Sequence, residues 1–479
     1  MLRDGSPVLE QYWAPYVAED RALVYSASKT FTASAIALAV GEGLLALDDR
    51  IVDLLPEAWA SVAEPSGSVA QLTVHHVLSM STGHDADVLE RFDPAAPQEW
   101  ARIFLSTPPQ APVGSRHVYN NGASWLLGEL IRTRTGADLL DYLRPRLLEP
   151  LGIDATWDRD ALGRCLGWSG IHVRTRDLAA MGELYRCDGV WQGRRRLPEG
   201  WVARATTPQI PTDEPNADWL FGYGYQLWLG REGYRLDGAF GQFSLVLPER
   251  GLVVAITSAQ SCTQLLLDLV WDALLPELDA QTVPDPNEGS AATETVPERD
   301  EGRAATETVP ERDEGRPATE TVPEEARELA SEPSRRAAAT HLPVPADTGL
   351  GKDWVTSGPA QVDATLVASP DEQANLPDLS DATAQRDGNG FTIGFTTNGH
   401  TVGLTAGCGT WVRQHVTIDG VAVPVAAAAG TDADGALDVR LVFTDSPHTL
   451  YLRIAGDTVA MAWGTIPLQS GDLARLVAR

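Results

Sequence analysis

The sequence predicts an α+β domain followed by a small, separate β-rich domain. Helical patterns fill the middle of the first unit, while strand patterns cluster late in it, which argues against regular βαβ alternation. A repeat-bearing acidic stretch then precedes a run of short strands separated by turn signals.

Residues 30–43 (TFTASAIALAVGEG) read as a buried helix of small and apolar residues that stops near Gly41 and Gly43. Further helices are expected over 71–80, over 122–135 with a stop at Gly136, and over 175–187 with Asp177 in its first turn. Residues 223–229, 242–247 and 251–257 read as strands. The turn Pro248-Glu249-Arg250-Gly251 joins the last two as an antiparallel hairpin, and 264–275 closes the unit as an amphipathic helix. This first domain is taken as 1–278.

Ala291–Arg303 reads AATETVPERDEGR, Ala304–Arg316 repeats it, and a third, degrading copy starts at Pro317. Residues 291–332 hold 13 acidic groups against 5 arginines and no aromatic residue. That balance predicts an extended, self-repelling linker, assigned to 279–341. The remainder, 342–479, offers short strands at 391–397, 400–405, 411–418, 437–443 and 449–455, as in a small antiparallel sandwich or barrel. Its Trp354, Trp411 and Trp463 read as core residues, with a carbohydrate- or peptide-binding platform as the alternative.

The formal charge is −29 over 479 residues, which argues against nucleic-acid partners and against docking on anionic lipid. No apolar run approaches the ~20 residues of a membrane span, and no signal peptide is legible, so the cytoplasm is the expected compartment. The four cysteines are far apart, and no H-E-x-x-H string or other metal-ligand spacing occurs. No metal is expected.

Lysine is rare: the chain has only Lys29 and Lys352, its other cations being arginine. Arginine keeps its proton, whereas a partly buried lysine can lose one and act as a base. Lys29 lies three residues after Ser26 in Tyr25-Ser26-Ala27-Ser28-Lys29-Thr30, at the opening of the first helix. The i, i+3 spacing puts an alcohol and an amine on one face, where a desolvated amine can take the serine proton. The plainer alternative is an N-capping serine beside an ordinary lysine. Two further elements are Tyr119-Asn120-Asn121 and Asp237-Gly238-Ala239-Phe240-Gly241-Gln242. A phenol beside an ammonium can exist as phenolate and shuttle protons. An amide at Asn121 could bond a substrate carbonyl, or cap the next helix. The glycines let a backbone approach a ligand, and the amides of Ser26 and Ala239 are nominated to meet a developing oxyanion.

In this order the three elements resemble those of the serine beta-lactamase-related hydrolases, the group of class C beta-lactamases, penicillin-binding D-peptidases, related esterases and 6-aminohexanoate-dimer amidases. YSASKTFTASAIALAVGEGLLALDDRIVDLLPE (25–57) is similar to the family's nucleophile helix. LTVHHVLSMSTG (72–83), YNNGASWLLGELI (119–131), LLEPLGI (147–153), RTRDLAAMGELY (174–185) and GAFGQFSLVLPERGLVVAITS (238–258) resemble its other landmarks. The resemblance spans about 1–278. It implies an antiparallel sheet flanked by helices, with an inserted helical subdomain. It also implies Ser26 as nucleophile, Lys29 and Tyr119 as the proton-transfer pair, and Asn121, Gly238, Ala239 and Gln242 on the substrate side. The implied acyl-enzyme route uses no cofactor.

Two departures stand out. Beta-lactamases and D-peptidases commonly carry Lys-Thr-Gly at the third motif, and this chain has Leu236-Asp237-Gly238. An aspartate there should repel a substrate carboxylate, which favours the esterase and aminohexanoate-dimer branch. Only 25 residues precede Ser26, so MLRDGSPVLEQYW is expected to be the middle of the family's first hairpin. The expected activity is hydrolysis of a small ester or amide. The alternatives are a non-catalytic ligand-binding protein on this fold and a classical beta-lactamase or D-peptidase.

Overall fold

The structure is a computed structural model and describes residues 1–282, 344–345, 377, 379–397, 399–455, 458–468 and 473. The acidic repeat, Lys352 and Trp354 lie outside the described residues.

The first domain is built on a six-stranded antiparallel sheet in the order Ser6–Pro7, Leu2–Arg3, Leu252–Ile256, Gln242–Leu247, Tyr234–Gly238, Trp228–Leu229. The N-terminal hairpin anticipated in MLRDGSPVLEQYW is present as Leu2–Pro7, hydrogen-bonded along Leu252–Ile256. The helix Thr175–Arg186 lies on this sheet. Gly182 makes its close approach possible: a Cβ there would stand 2.3 Å from Ser244 Oγ and 2.9 Å from Val253 Cγ1.

The helix Ser28–Gly41 is buried on every side, which explains why its sequence shows no polar face. Its few hydroxyls are spent on neighbours: Thr30 Oγ1 donates to Gln226 O (2.8 Å), and Thr32 Oγ1 donates to Gly167 O (2.7 Å). These bonds fix two loops against the helix while leaving no buried polar group unmatched at either position. The helix Asn121–Thr135 ends at Gly136, as expected, and packs with Ser28–Gly41 in one apolar core. Asn120 caps it, accepting from Ala123 N at 3.1 Å, so the cap is one residue earlier than the Asn121 alternative.

Several expected elements differ. The 71–80 helix shortens to Val74–Leu78, opened by Thr73. The strand expected over 223–229 forms only at Trp228–Leu229, because preceding backbone bonds leave the sheet: Tyr225 N donates to Ala205 O (2.9 Å) and Gln226 N to Leu78 O (3.2 Å). Tyr234–Gly238 is a strand that its Asp-Gly ending disguised as a turn. The closing helix runs further than 264–275, from Thr263–Leu269 through a π-helical turn at Val270–Leu274 to Leu275–Thr282.

The C-terminal domain is one curled antiparallel sheet, a half-barrel, with its own apolar core. Its strands run Leu379–Asp387, Gly390–Thr397, His400–Cys408, Val421–Thr431, Leu437–Phe443, Thr449–Ala455, Thr458–Trp463, with Val412–Ile418 added beside Val421–Thr431. The contact between His400–Cys408 and Val421–Thr431 is a short parallel one, Gly407 opposite Ala428. Alternation along Gly390–Thr397 sends Phe391, Ile393 and Phe395 inward. Trp463 packs against this core, and Trp411 is half-buried.

The chain divides into two compact units, Met1–Gln264 with His341–Arg479, and Leu265–Thr340. The half-barrel thus belongs with the first domain. Leu23 N donates to Asp445 O at 2.8 Å, and the Arg413 guanidinium bonds Asp20 and the Pro15 carbonyl.

Candidate active site

The strand Ala22–Leu23 pairs with Ile171–Val173 and delivers the chain into a tight turn at Tyr25–Ala27, just ahead of the buried helix. Ser26 sits in this turn, half-buried, and Lys29 is the second residue of the helix and 1% exposed. The Lys29 nitrogen is 3.0 Å from Ser26 Oγ, 2.7 Å from Asn121 Oδ1 and 2.7 Å from the Trp168 carbonyl oxygen.

The chemistry of these partners dictates the direction of each bond. The Asp87 carboxylate accepts from Asn121 Nδ2 at 2.7 Å, which turns the Asn121 oxygen toward Lys29. Asn121 Oδ1 and the Trp168 carbonyl can only accept. A neutral Lys29 therefore keeps its two N–H groups on those oxygens and presents its lone pair to Ser26. Burial pushes the Lys29 amine down to about 7, against the attraction of Asp87 and Asp237 for the ammonium. Solvent loss at 1% exposure outweighs two carboxylates that are themselves engaged elsewhere.

Tyr119 joins this pair. Its ring centre is 4.7 Å from Lys29 Nζ, and Trp228 stacks on it at 6.0 Å and 13°. Burial raises the phenol above its usual value, Ser26 opposing only in part. Burial thus works against the phenolate form that a neighbouring ammonium would favour, since desolvation penalises the anion.

The third element is the turn of a hairpin, Ala239–Gly241, between Tyr234–Gly238 and Gln242–Leu247. Gly238 is required by a close contact within the protein: a Cβ there would lie 2.1 Å from the Val24 carbonyl oxygen. That contact draws the turn against the residues before Ser26. Ala239 is half-buried. Gln242 is fully buried; its amide nitrogen donates to Ser258 O at 2.5 Å and braces the turn, while its amide oxygen has no partner among the described residues.

Arg235, one residue before the third motif, is bonded within the protein through Nε and Nη1, while its buried Nη2 has no partner among the described residues. It is 1% exposed, its Nε donates to Asp237 Oδ2 at 2.8 Å, and its Nη1 serves the carbonyls of Asp218 and Leu229. Two residues apart on one strand, Arg235 and Asp237 share a face and pair with each other. Burial raises the Asp237 carboxyl, and Arg235 opposes this.

Three participants were not foreseen. Asp87 orients Asn121, and the Trp168 carbonyl holds Lys29. His448, from the half-barrel, bonds the Tyr25 hydroxyl at 2.7 Å. Asp87 caps a short helical turn by accepting from Leu89 N, and that Asx pattern was the only local signal it offered.

An antiparallel sheet covered by helices, with a serine and a buried lysine one turn apart at the head of the central helix, defines the class of beta-lactamase-fold hydrolases. The chain belongs to the Beta-lactamase family, which matches residues 1–265, more than half its length. It is similar to a D-aminopeptidase of Brucella anthropi, 28% identical over 250 residues covering 46% of this chain and 47% of that protein. It is similar to penicillin-binding protein 4 of Amycolatopsis lactamdurans, 27% identical over 309 residues covering 54% and 77%. It also resembles a 6-aminohexanoate-dimer hydrolase of Paenarthrobacter ureafaciens, 25% identical over 216 residues covering 42% and 55%. The match thus spans about half the length of two of these relatives. Among the described residues no helix is long and apolar enough to cross a membrane.

Proposed function

We propose that the protein is a serine hydrolase that cleaves a small ester or amide through an acyl-enzyme intermediate. The observation that carries this is the Lys29 amine, desolvated to about 7 and held 3.0 Å from Ser26 Oγ. In this reading neutral Lys29 takes the Ser26 proton as the oxygen attacks the substrate carbonyl. The backbone amides of Ser26 and Ala239 receive the oxyanion. Tyr119, kept protonated by burial, passes a proton to the leaving group and recovers it from Lys29. Water then repeats the sequence on the acyl-enzyme.

Asp237 and Asp87 beside Lys29 make the site unwelcoming to a carboxylate, and the Arg235 charge is paired with Asp237. This favours neutral or amine-bearing substrates over beta-lactams. A relative named as a D-aminopeptidase accords with an amine-bearing substrate. On the same reading 1–278 is the hydrolase domain, 279–341 a solvated spacer and 342–479 an accessory domain.

A fluorophosphonate probe tests the assignment. It should label the wild-type chain and leave Ser26→Ala unlabelled, with p-nitrophenyl ester hydrolysis lost in parallel. Equal labelling of both chains would remove Ser26 from the role.

A further inference from the structure

We infer that His448, on the half-barrel, is a positioning residue that holds both sides of the oxyanion-binding backbone; the inference rests on the serine-hydrolase reading. Two non-glycine residues at the site have left-handed backbones: Tyr25 (φ 45°), next to Ser26, and Phe240 (φ 61°), next to Ala239. Neither conformation is relaxed for an aromatic residue, so surrounding contacts must impose it. His448 touches both. Its ring is 6.0 Å from that of Tyr25 and 5.7 Å from that of Phe240, and Tyr25 and Phe240 are 5.5 Å apart, all three edge-on.

Hydrogen bonding makes the arrangement directional. His448 Nδ1 faces the Thr465 carbonyl at 2.9 Å, which can only accept, so Nδ1 carries the proton. His448 Nε2 is then a lone-pair acceptor, and the Tyr25 hydroxyl donates to it at 2.7 Å. Burial supports this form, lowering the imidazole to about 4 and raising the Tyr25 phenol. The opposite side of the Phe240 turn is held by Ser258 Oγ, which donates to Phe240 O at 2.5 Å, and by Gln260 N at 3.1 Å. The half-barrel thereby supplies a side chain that braces the two peptide groups on which acylation depends, without touching substrate.

The test uses the full chain and its variants His448→Ala, His448→Gln, Tyr25→Phe and Ser26→Ala. Fluorophosphonate labelling rates, kcat and KM on a p-nitrophenyl ester, and melting curves are measured for each. His448→Ala should lower kcat and the labelling rate by about tenfold or more, with KM within about threefold, since transition-state and not ground-state contacts are loosened. His448→Gln, whose amide can accept from Tyr25 and donate to Thr465, should recover most of the loss. Tyr25→Phe removes only the hydroxyl and should resemble His448→Ala; it decides the matter if His448→Ala does not fold. Wild-type kcat in folded His448→Ala or in Tyr25→Phe overturns the inference, and so does a glutamine variant as slow as the alanine one. Continued labelling of Ser26→Ala overturns the underlying serine assignment instead, an outcome read on a different chain.

Discussion

Lys29 Nζ stands 3.0 Å from Ser26 Oγ, with its remaining hydrogens committed to two oxygens that cannot give a proton back. In the proposed mechanism this pairing of an alcohol with a desolvated amine is what allows acylation at neutral pH, and its chemistry leads to several expectations.

The rate should depend on an unprotonated Lys29. Below about pH 7 the amine is an ammonium, so kcat/KM should fall close to tenfold per pH unit, and above it should level off. A pH profile with a neutral ester reads this directly; an acid limb centred near the ordinary lysine value would contradict it. The same shift has a stability consequence. The unfolded chain holds this proton up to about 10.5 and the folded one releases it at about 7. Lys29 therefore burdens the fold fully below about 7, and the burden fades as the pH climbs to 10.5.

Lys29→Arg keeps the positive charge and removes the basicity. Turnover should drop by about 10²–10⁴, the usual span for a lost general base. Steady-state kinetics on one ester, with circular dichroism to verify folding, separates this from simple misfolding. An arginine chain with a wild-type rate would show that charge alone suffices.

Tyr119→Phe deletes the phenol proton while leaving the ring over Lys29 and stacked on Trp228. We expect kcat to fall about 10²-fold with little change in KM, as for a lost proton relay. A larger deficit for amides than for phenolic esters is expected too, because an amine leaving group needs the proton more.

Asp237→Asn removes a carboxylate that favours the Lys29 ammonium. The Lys29 value should drop, shifting the acid limb of the rate profile to lower pH. Carboxylate-bearing substrates should gain relative to neutral ones. An unmoved limb together with unchanged selectivity would separate Asp237 from the chemistry.

Asn120→Ala tests the local framework. Asn120 Oδ1 accepts from Ala123 N at 3.1 Å and from Val88 N at 3.2 Å, so the substitution leaves two buried amides unanswered. Thermal denaturation should show a loss of about 1–2 kcal/mol. A stability equal to wild type would mean that other groups satisfy those amides.

Periodicity and punctuation carried much of the fold. The helices at 122–135 and 175–187 and the hairpin around Pro248–Gly251 are local affairs, and each stands where its pattern placed it, to within a residue or so. Strand Tyr234–Gly238 escaped because its neighbours across the sheet, and not its own composition, make it a strand. The segment 223–229 erred in the opposite direction: its aromatic alternation suits a sheet, yet Ala205 and Leu78 claim its backbone bonds.

What the sequence determined alone was the order of the chemical groups, a serine three residues ahead of a rare lysine, then a tyrosine, then a glycine-rich turn. Helical spacing is enough to place the first two on one face. Only the tertiary structure decided how those groups behave. The Lys29 amine is pushed down because elements from elsewhere in the chain exclude water from it, and the Tyr119 phenol is pushed up for the same reason. Arg235 is charge-paired because Asp237 lies two residues on along the same strand face, and Tyr25 meets a histidine 423 residues away. Proton affinity and ion pairing depend on what surrounds a group in space, and chain neighbours supply only part of those surroundings.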